Sequence, residues 1–296
     1  MIKTKIISCC LLVSFLSLLV PSELALAYAA SPIPLTAPSV ILLDTSTRNV
    51  VFAKTPFMRR PPASTAKLLT AMVAMNQLRL DQVITIPAFV ESVPPSKAYL
   101  RVGERYRVRD LLRATLISSA NDAAEVLAAA AGGSRVRFAS LMNQKAHRLG
   151  CHRSHFVNPT GLPAKGQFTT AYDMTLIMRE IERYPFLVEA LKTRLATIQS
   201  LEGRSIGLRN HNKMLWRHHS EIVGKTGWTK TARHCFVGQI DIAGKKLFIS
   251  MLGSLRLWRD LKTLIDYHFG LSFFRNGRHE KLLARQPKKK NLRSRK

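Results

Sequence analysis

Runs of hydrophobic residues separated by short polar turns predict β-strands near both ends of the chain. Alternating or continuous apolar segments of four to eight residues between turn residues are typical of strands. Two pairs of such segments are close enough in sequence to form β-hairpins, the second of them through Ala243-Gly244. The predicted strands are Val40–Leu43 with Val50–Ala53, Val83–Ile86, Glu221–Lys225, and Cys235–Ile242 with Lys245–Leu252.

Between these strands the apolar residues recur with the spacing of amphipathic helices. Ser134 and Thr170 precede two of these segments and are predicted to cap them, and Gly132-Gly133 ends another. The predicted helices are Ser64 to about Arg79, Asp110–Leu116, Asn121–Ala131, the segment after Ser134 to about Leu149, Ala171–Ile181 and Trp258–Tyr267. Strands at both ends with helices between them predict an α+β fold: one antiparallel sheet flanked by helices, with an inserted helical subdomain, in a single domain at 38–270.

The first 29 residues have the pattern of a secretory signal peptide. Lys3 and Lys5 precede the apolar run Ile6–Val20, and small residues allow cleavage after Ala27 or Ala29. The apolar run is short for a membrane span, although an uncleaved signal anchor is the alternative. We therefore expect an exported protein of the periplasm or cell-envelope space, and a peripheral association with the membrane is left open.

The net charge is unusually positive for a globular protein. Lys and Arg number 46 against 18 acidic residues, giving a formal charge of +28. The segment 275–296 holds ten Lys or Arg and one Glu, which predicts a disordered basic tail. In an exported protein, its polyanionic partner would be an anionic membrane or wall polymer and not nucleic acid. A solubilising tail without a partner is the alternative.

Removal of the leader leaves two cysteines, Cys151 and Cys235. They could pair in an oxidising compartment or pack separately as small hydrophobic side chains. The cysteines and histidines do not have the spacing of a zinc site, so we predict neither a metal nor another cofactor.

The candidate chemistry begins at Ser64 and Lys67. Residues three apart on a helix share a face, so the hydroxyl and the amine can point into the same space. A hydroxyl becomes a good nucleophile when a neighbouring base takes its proton, and a buried lysine with a lowered pKa can be that base. A single S-x-x-K pattern is nonetheless common by chance.

Two later motifs make the pattern specific. Ser119-Ala120-Asn121 lies at a break between helices, and Lys225-Thr226-Gly227 lies at the end of a strand. S-x-x-K, S-x-N and K-T-G in this order are the set found in penicillin-binding proteins and class A β-lactamases. The expected roles beyond the Ser64–Lys67 pair are a proton shuttle at Ser119, a substrate amide contact at Asn121, a cation at Lys225, strand-like substrate binding at Thr226 and Gly227, and a second oxyanion donor at the Trp228 N–H.

From about Ser39 to Phe269 the chain resembles the serine-type D-alanyl-D-alanine carboxypeptidases, the low-molecular-weight penicillin-binding proteins. The resemblance is carried by the three motifs and by 41–44, 60–67, 108–112, 119–124, 156–162, 170–174 and 224–229. It implies a β-lactamase/transpeptidase-like fold and removal of the terminal D-alanine from peptidoglycan stem peptides through an acyl-enzyme, which β-lactams trap. It also implies Ser64 as nucleophile, Lys67 as base, Ser119 as shuttle and Lys225 as substrate contact, with Arg256 as a candidate for binding the substrate carboxylate.

Three alternatives compete with this interpretation. A DD-endopeptidase performs the same chemistry on a cross-linked peptide, and the sequence leaves it open. A class A β-lactamase needs a glutamate that activates the deacylating water, and the segment Asn158–Leu162 offers none in a matching context. A non-catalytic wall protein that binds polyanions would explain the charge but has no need of both Ser64 and Lys67.

Overall fold

The computed structural model describes residues 33–216, 221–242 and 244–269. The predicted signal peptide at 1–29 and the predicted basic tail at 275–296 lie outside these residues. Within the described part of the chain, no helix combines the length and the hydrophobicity needed to cross a membrane.

A five-stranded antiparallel sheet forms the centre of the molecule, with the strand order β2-β1-β9-β8-β7. Both predicted hairpins are confirmed, as β1–β2 and β8–β9. Two small antiparallel pairs, β3–β4 and β5–β6, lie outside this sheet. The strands are β1 (Ser39–Asp44), β2 (Val50–Lys54), β3 (Val83–Thr85), β4 (Arg105–Arg107), β5 (Leu195–Gln199), β6 (Ser205–Arg209), β7 (Ile222–Thr229), β8 (Arg233–Ile242) and β9 (Lys245–Ser254).

The helices lie between β2 and β7 in sequence, except for the last one. Ser134 and Thr170 cap their helices as predicted, because their hydroxyls accept hydrogen bonds from Arg137 N and Asp173 N. The helices are α1 (Lys67–Gln77), α2 (Val108–Ile117), α3 (Asn121–Gly132), α4 (Arg135–Arg148), α5 (Ala171–Ile181), α6 (Pro185–Lys192), the single turn α7 (Lys213–Trp216) and α8 (Leu257–Phe269). Short 3-10 turns occur at Ala63–Ala66 and Ala88–Ser92.

The α+β prediction is confirmed, and the structure adds elements that the sequence pattern did not reveal. Ser64 lies in a 3-10 turn ahead of α1 and not in an α-helix, because helix N-termini commonly tighten to i→i+3 bonding. The segment 192–210, where the sequence pattern predicts no strand or helix, contains the hairpin β5–β6. In each five-residue strand three positions are exposed, one is half-buried and only one is buried, which gives a weak hydrophobic signal.

Both faces of the central sheet are covered. Ile41 and Leu43 of β1 pack with the helices α1 to α6, whereas Val40 and Leu42 pack on the other face with α8. Successive side chains of a strand point to opposite faces, so a strand buried on both sides reads as a continuous apolar run. This explains the unbroken hydrophobic run of β1 and the long buried stretches of β8 and β9. The edge of β7 is left beside the 3-10 turn of Ser64, where the candidate site forms.

Candidate active site

The backbone ahead of Ser64 is held in a strained conformation. Ala63 has φ +48°, in the left-handed region that costs a non-glycine residue about 1–3 kcal/mol. The loop at Gly161 packs directly against this residue: a Cβ at Gly161 would lie 1.8 Å from the Ala63 carbonyl oxygen. Gly161 itself has φ +78°, so both its backbone conformation and its lack of a side chain are required. The nucleophile loop is therefore positioned by a residue almost one hundred places later in the chain.

Lys67 is fully buried and connects three parts of the protein. Its Nζ lies 2.9 Å from Ser64 Oγ, 2.7 Å from Asn121 Oδ1 and 3.0 Å from the Thr160 carbonyl oxygen. The amide and carbonyl oxygens can only accept hydrogen bonds. A neutral amine has two hydrogens and one lone pair, so it satisfies both acceptors and leaves the lone pair for the Ser64 hydroxyl. The geometry fits a base that is ready to take the Ser64 proton.

The electrostatics of Lys67 favour this neutral form. Burial lowers its pKa well below the usual range, and the positive charge of Lys225 lowers the pKa further. Glu125 and Asp122 act in the opposite direction. The lysine can therefore lose its proton at a pH where an exposed lysine would stay charged.

Ser119 and Lys225 form a second pair beside the first. Lys225 Nζ donates to Ser119 Oγ at 2.9 Å and to the Thr226 carbonyl oxygen at 2.9 Å. Ser119 lies between α2 and α3 with φ +60°, another strained backbone at the site. Burial lowers the pKa of Lys225 to about 7, so the pair can hold or release a proton near neutral pH.

Asn121 does not occupy the position expected for a substrate contact. Its Oδ1 accepts from Lys67, while its Nδ2 donates to the carbonyl oxygens of Pro94 at 3.1 Å and Pro95 at 2.8 Å. All three contacts lie within the protein, and the residue is 2% exposed. These contacts favour a role in orienting Lys67 over the predicted contact with a substrate amide.

The outer edge of β7 is available for hydrogen bonding along the site. The Glu221 carbonyl oxygen, just before β7, accepts a hydrogen bond from Asp241 N of β8 at 2.9 Å. Glu221 therefore directs its backbone groups toward β8, and so does every second residue after it. Such residues alternate along an antiparallel strand, so Thr226 and Trp228 direct theirs away from β8. The Trp228 N–H thus emerges on the edge next to Ser64, as the oxyanion-hole prediction requires. Its indole ring is 59% exposed.

Gly227 permits the close approach between β7 and the nucleophile. A Cβ at this position would lie 2.8 Å from Ser64 N, 2.9 Å from Ala63 Cβ and 3.1 Å from Thr65 N. Backbone atoms cannot yield as a flexible side chain can. The expected role of Gly227 in leaving room at the edge is consistent with these distances.

We expect Gly227→Ala to slow acylation by a fluorescent penicillin by about 100-fold, because a displacement of roughly 1 Å at Ser64 N misaligns both the nucleophile and an oxyanion donor. Gly207→Ala on β6 is the matched control, since a Cβ at that position meets no atom within 4 Å. Stopped-flow or gel-based labelling rates measure both variants. Equal rates for Gly227→Ala and the unmodified protein would contradict the steric argument.

Arg256 lies in the turn between β9 and α8. Ser254 at the end of β9 pairs with His234 of β8, and His234 pairs with Trp228 of β7. Arg256 therefore follows β9 at the same end of the sheet as Trp228. Two inter-strand spacings of about 4.8 Å separate β9 from β7. Arg256 is exposed and its backbone N donates to Ser254 Oγ. Its predicted carboxylate contact remains a prediction.

Sequence reasoning missed two contributors to the site. The Thr160 carbonyl reaches Lys67 because Asn158 Oδ1 accepts from Gly161 N and Thr160 Oγ1, and a backbone carbonyl carries no sequence signal. His211 is exposed and lies in sequence between the buried residues Asn210 and Asn212. Partial desolvation of its ring lowers its pKa to about 4, and the positive charges of Lys225 and Lys67 act in the same direction. The flanking pair of asparagines was the available signal.

The two cysteines are not paired. Cys151 and Cys235 are both free and buried, and burial raises the pKa of each thiol. Of the two alternatives, separate packing is therefore the one observed. Among residues 33–216, 221–242 and 244–269, no group of three or more His, Cys, Asp or Glu could hold a metal ion.

Comparisons of the sequence and of the structure with known proteins all indicate the same family. The sequence profile of the D-alanyl-D-alanine carboxypeptidase family matches residues 27–254. The chain is 32% identical to D-alanyl-D-alanine carboxypeptidase DacB2 of Mycobacterium tuberculosis (78% of this chain, 82% of the relative) and 34% identical to a D-alanyl-D-alanine endopeptidase of Pseudomonas aeruginosa (78% of each). The crystal structure of a Streptomyces DD-transpeptidase superimposes with a TM-score of 0.75 at 27% identity, covering 82% of this chain and 100% of the other.

Proposed function

Because the chain belongs to the D-alanyl-D-alanine carboxypeptidase family, we propose that Ser64, Lys67 and Ser119 are the residues with which it cleaves its substrate. The protein is a serine-type D-Ala-D-Ala carboxypeptidase, which removes the terminal D-alanine from peptidoglycan stem peptides through an acyl-enzyme. One observation carries the assignment: Lys67 Nζ lies 2.9 Å from Ser64 Oγ and has its other hydrogen-bond partners in place.

Acylation begins with the transfer of the Ser64 hydroxyl proton to Lys67 Nζ. Ser64 Oγ bonds to the carbonyl carbon of the penultimate D-alanine, and the carbonyl oxygen becomes an oxyanion. The N–H groups of Ser64 and Trp228 are the proposed donors to this oxyanion, and the start of the helix adds a favourable partial charge. The N–H of Trp228 faces the right direction for this role.

Collapse of the tetrahedral intermediate breaks the bond to the leaving nitrogen, which must gain a proton. Ser119 Oγ is the proposed donor, and Lys225, 2.9 Å away, replaces the proton that Ser119 gives up. The leaving D-alanine therefore lies toward Lys225, and the acyl portion runs from Trp228 toward the end of β7. Water then hydrolyses the ester on Ser64: its oxygen bonds to the carbonyl carbon as the bond to Ser64 Oγ breaks. Lys67 returns its proton to Ser64 Oγ, and the proton lost by the water passes through Ser119 to Lys225, so both lysines regain their starting forms.

The substrate is proposed to bind as an added strand on the edge of β7. The outward backbone groups of Thr226 and Trp228 supply the hydrogen bonds, and Gly227 permits the approach. Lys225 and the exposed Arg256 provide positive charge for the terminal carboxylate. The same contacts would hold a β-lactam, whose ring opening on Ser64 mimics the acyl-enzyme.

The contacts of Lys67 argue against a class A β-lactamase. Such an enzyme places a glutamate near the nucleophile to activate the deacylating water. In this protein the corresponding loop presents the Thr160 carbonyl oxygen to Lys67 at 3.0 Å. A carbonyl cannot act as the general base for water, so penicillin should remain attached to Ser64.

Carboxypeptidase and endopeptidase activity differ only in the leaving group. The test is to compare D-alanine release from a pentapeptide with cleavage of a cross-linked dimer, at equal enzyme concentration. We expect release from the pentapeptide to be the faster reaction. Cleavage of the dimer alone would identify an endopeptidase, and failure of both with intact penicillin labelling would point to a transferase that needs an amine acceptor.

We expect kcat/KM to have a bell-shaped dependence on pH. Lys67 must be neutral to act as base, so activity rises as pH increases through its lowered pKa. Lys225 must be protonated to replace the proton that Ser119 donates, so kcat/KM falls above about pH 7. Because the two lysines repel each other, the two limbs belong to the pair and not to either residue alone. A rate that rises without a second limb would contradict the role of Lys225.

The cellular location and the partners of the tail rest on the sequence. A family that acts on cell-wall peptides works outside the cytoplasm, and we propose that residues 1–29 direct export to the periplasm or envelope space. The catalytic domain is proposed to span 38–270. Only the charge of 275–296 supports an anionic membrane or wall polymer as a partner. Vesicle binding before and after deletion of Pro287–Lys296 tests this, and unchanged binding would exclude the tail as an anchor.

A further inference from the structure

An ion pair with a buried glutamate lies one helical turn beyond the motif residue Asn121. Glu125 on α3 is 7% exposed, and its carboxylate contacts Arg135 on α4 at 3.0 Å and 3.1 Å. Residues four apart on a helix lie on one face with Cβ atoms about 5–6 Å apart. Glu125 is therefore just behind Asn121, whose Oδ1 holds Lys67 at 2.7 Å. None of the three catalytic motifs includes either member of this pair.

We propose that the Glu125–Arg135 pair sets the charge on Lys67: Glu125 supplies part of the negative potential at the buried amine, and Arg135 keeps Glu125 ionised. This proposal rests on the function given to Lys67 above. It assigns Glu125 and Arg135 as positioning residues, because neither touches the reacting atoms.

Three charged groups act on Lys67: Lys225, Asp122 and Glu125. Lys225 on β7 is positive and opposes a charge on Lys67. Asp122 is negative, but its carboxylate accepts hydrogen bonds from the backbone N–H groups of Ala98 at 2.9 Å and Leu100 at 3.2 Å. Those bonds hold the Asp122 carboxylate against the backbone, and its charge acts on Lys67 in the same direction as the charge of Glu125. Glu125 forms an ion pair with Arg135, and its negative charge acts on Lys67 through the interior of the protein.

The protonation of Glu125 depends on Arg135. Burial raises the pKa of Glu125, and the guanidinium of Arg135 lowers it. An isolated buried carboxylate would tend to take up a proton and lose its effect on Lys67. The Arg135 side chain is 61% exposed, so it reaches Glu125 from the solvent side. A cavity of about 590 Å³, lined in part by Pro94, Glu125 and Arg135, separates this pair from the turn at Ala88–Ser92.

The measurement that tests the pair is the acid limb of the pH profile for acylation by a fluorescent penicillin. In Glu125→Gln the negative charge is lost, so the neutral form of Lys67 is favoured and its pKa falls. The acid limb should move to lower pH by about 0.5–1 unit, the order of magnitude expected when a nearby charge in a protein interior is removed. The plateau rate should change less than about twofold, because Glu125 does not orient Lys67 directly.

Matched variants separate this effect from a loss of stability. Glu180→Gln removes the charge of another mostly buried glutamate, whose carboxylate lies 2.8 Å from Lys145 Nζ, and it should leave the acid limb unchanged. Arg135→Lys keeps the charge beside Glu125 and should also leave it unchanged. If Glu125→Gln does not fold, the double variant Glu125→Met with Arg135→Met removes both charges without leaving either unpaired. It should shift the acid limb in the same direction by a smaller amount, because the positive charge of Arg135 is lost as well.

An acid limb that stays in place in both Glu125→Gln and the double variant would overturn the proposal. A shift of equal size in Glu180→Gln would overturn it as well, because the effect would then be general. Failure of the underlying function is distinguishable: if Lys67→Met retains normal acylation, Lys67 is not the base. If Lys67→Met is inactive and the Glu125 variants show no shift, only the role of the ion pair fails.

Discussion

Replacing Ser64 by alanine will abolish covalent labelling by a fluorescent penicillin and will lower D-alanine release by at least about 10⁴-fold. The substitution removes the atom that bonds to the substrate carbonyl, and the remaining oxyanion donors and binding contacts give only residual catalysis. Ser64 Oγ contacts Lys67 at 2.9 Å, and the surrounding loop is held independently by Gly161. The thermal unfolding temperature should therefore stay close to that of the unmodified protein.

Labelling by mass spectrometry checks this prediction, because the adduct can be located on a single peptide. Ser140→Ala, an exposed serine on α4, is the matched control and should label normally. Labelling that persists in a folded Ser64→Ala protein would show that another residue is the nucleophile. The acyl-transfer assignment would then have to be rebuilt around that residue.

Replacing Lys67 by methionine will slow acylation by at least about 10³-fold and will remove the acid limb of the pH profile. Methionine has a similar length and fits the buried site, but it cannot accept a proton from Ser64. Lys67→Arg should be equally inactive, because a guanidinium stays protonated at any working pH. This pair of variants separates the need for a base from the need for a positive charge.

Second-order labelling rates from pH 5 to 9 measure both Lys67 variants. Lys145→Met, which removes a mostly buried lysine that pairs with Glu180, is the control and should keep the normal profile. Substantial activity in Lys67→Arg would mean that Lys67 acts through its charge. In that case the contacts of Lys67 Nζ with Asn121 and Thr160 would not serve to prepare a neutral amine as the base.

Much of the fold followed from local patterns. The hairpin β1–β2 and the caps at Ser134 and Thr170 depend on residues within a few positions of one another, and such signals survive in a single sequence. The hairpin β5–β6 did not, because its strands carry little apolar contrast. The pairing of β3 with β4 was also missed, since β4 is three residues long and two of these are exposed arginines.

The candidate site shows the same division. The order of the three motifs identified Ser64, Lys67, Ser119 and Lys225 without any structure, because the chemistry restricts those positions to particular residue types. Asn121 was identified as well, but its partner was not. Its contact with Lys67 joins residues 54 positions apart, and only packing of α1 against α3 brings them together.

By itself, the sequence determined the α+β class, the side chains proposed to react and the expected class of reaction. The tertiary structure decided how those side chains are activated. Lys225 contacts Ser119, which lies 106 residues earlier in the chain, and the Thr160 carbonyl oxygen completes the hydrogen bonds of Lys67 Nζ. The strand order leaves β7 as an edge strand beside Ser64. The physical reason is that residue type is a local property, whereas burial, charge proximity and the direction of a backbone carbonyl depend on distant segments packing together.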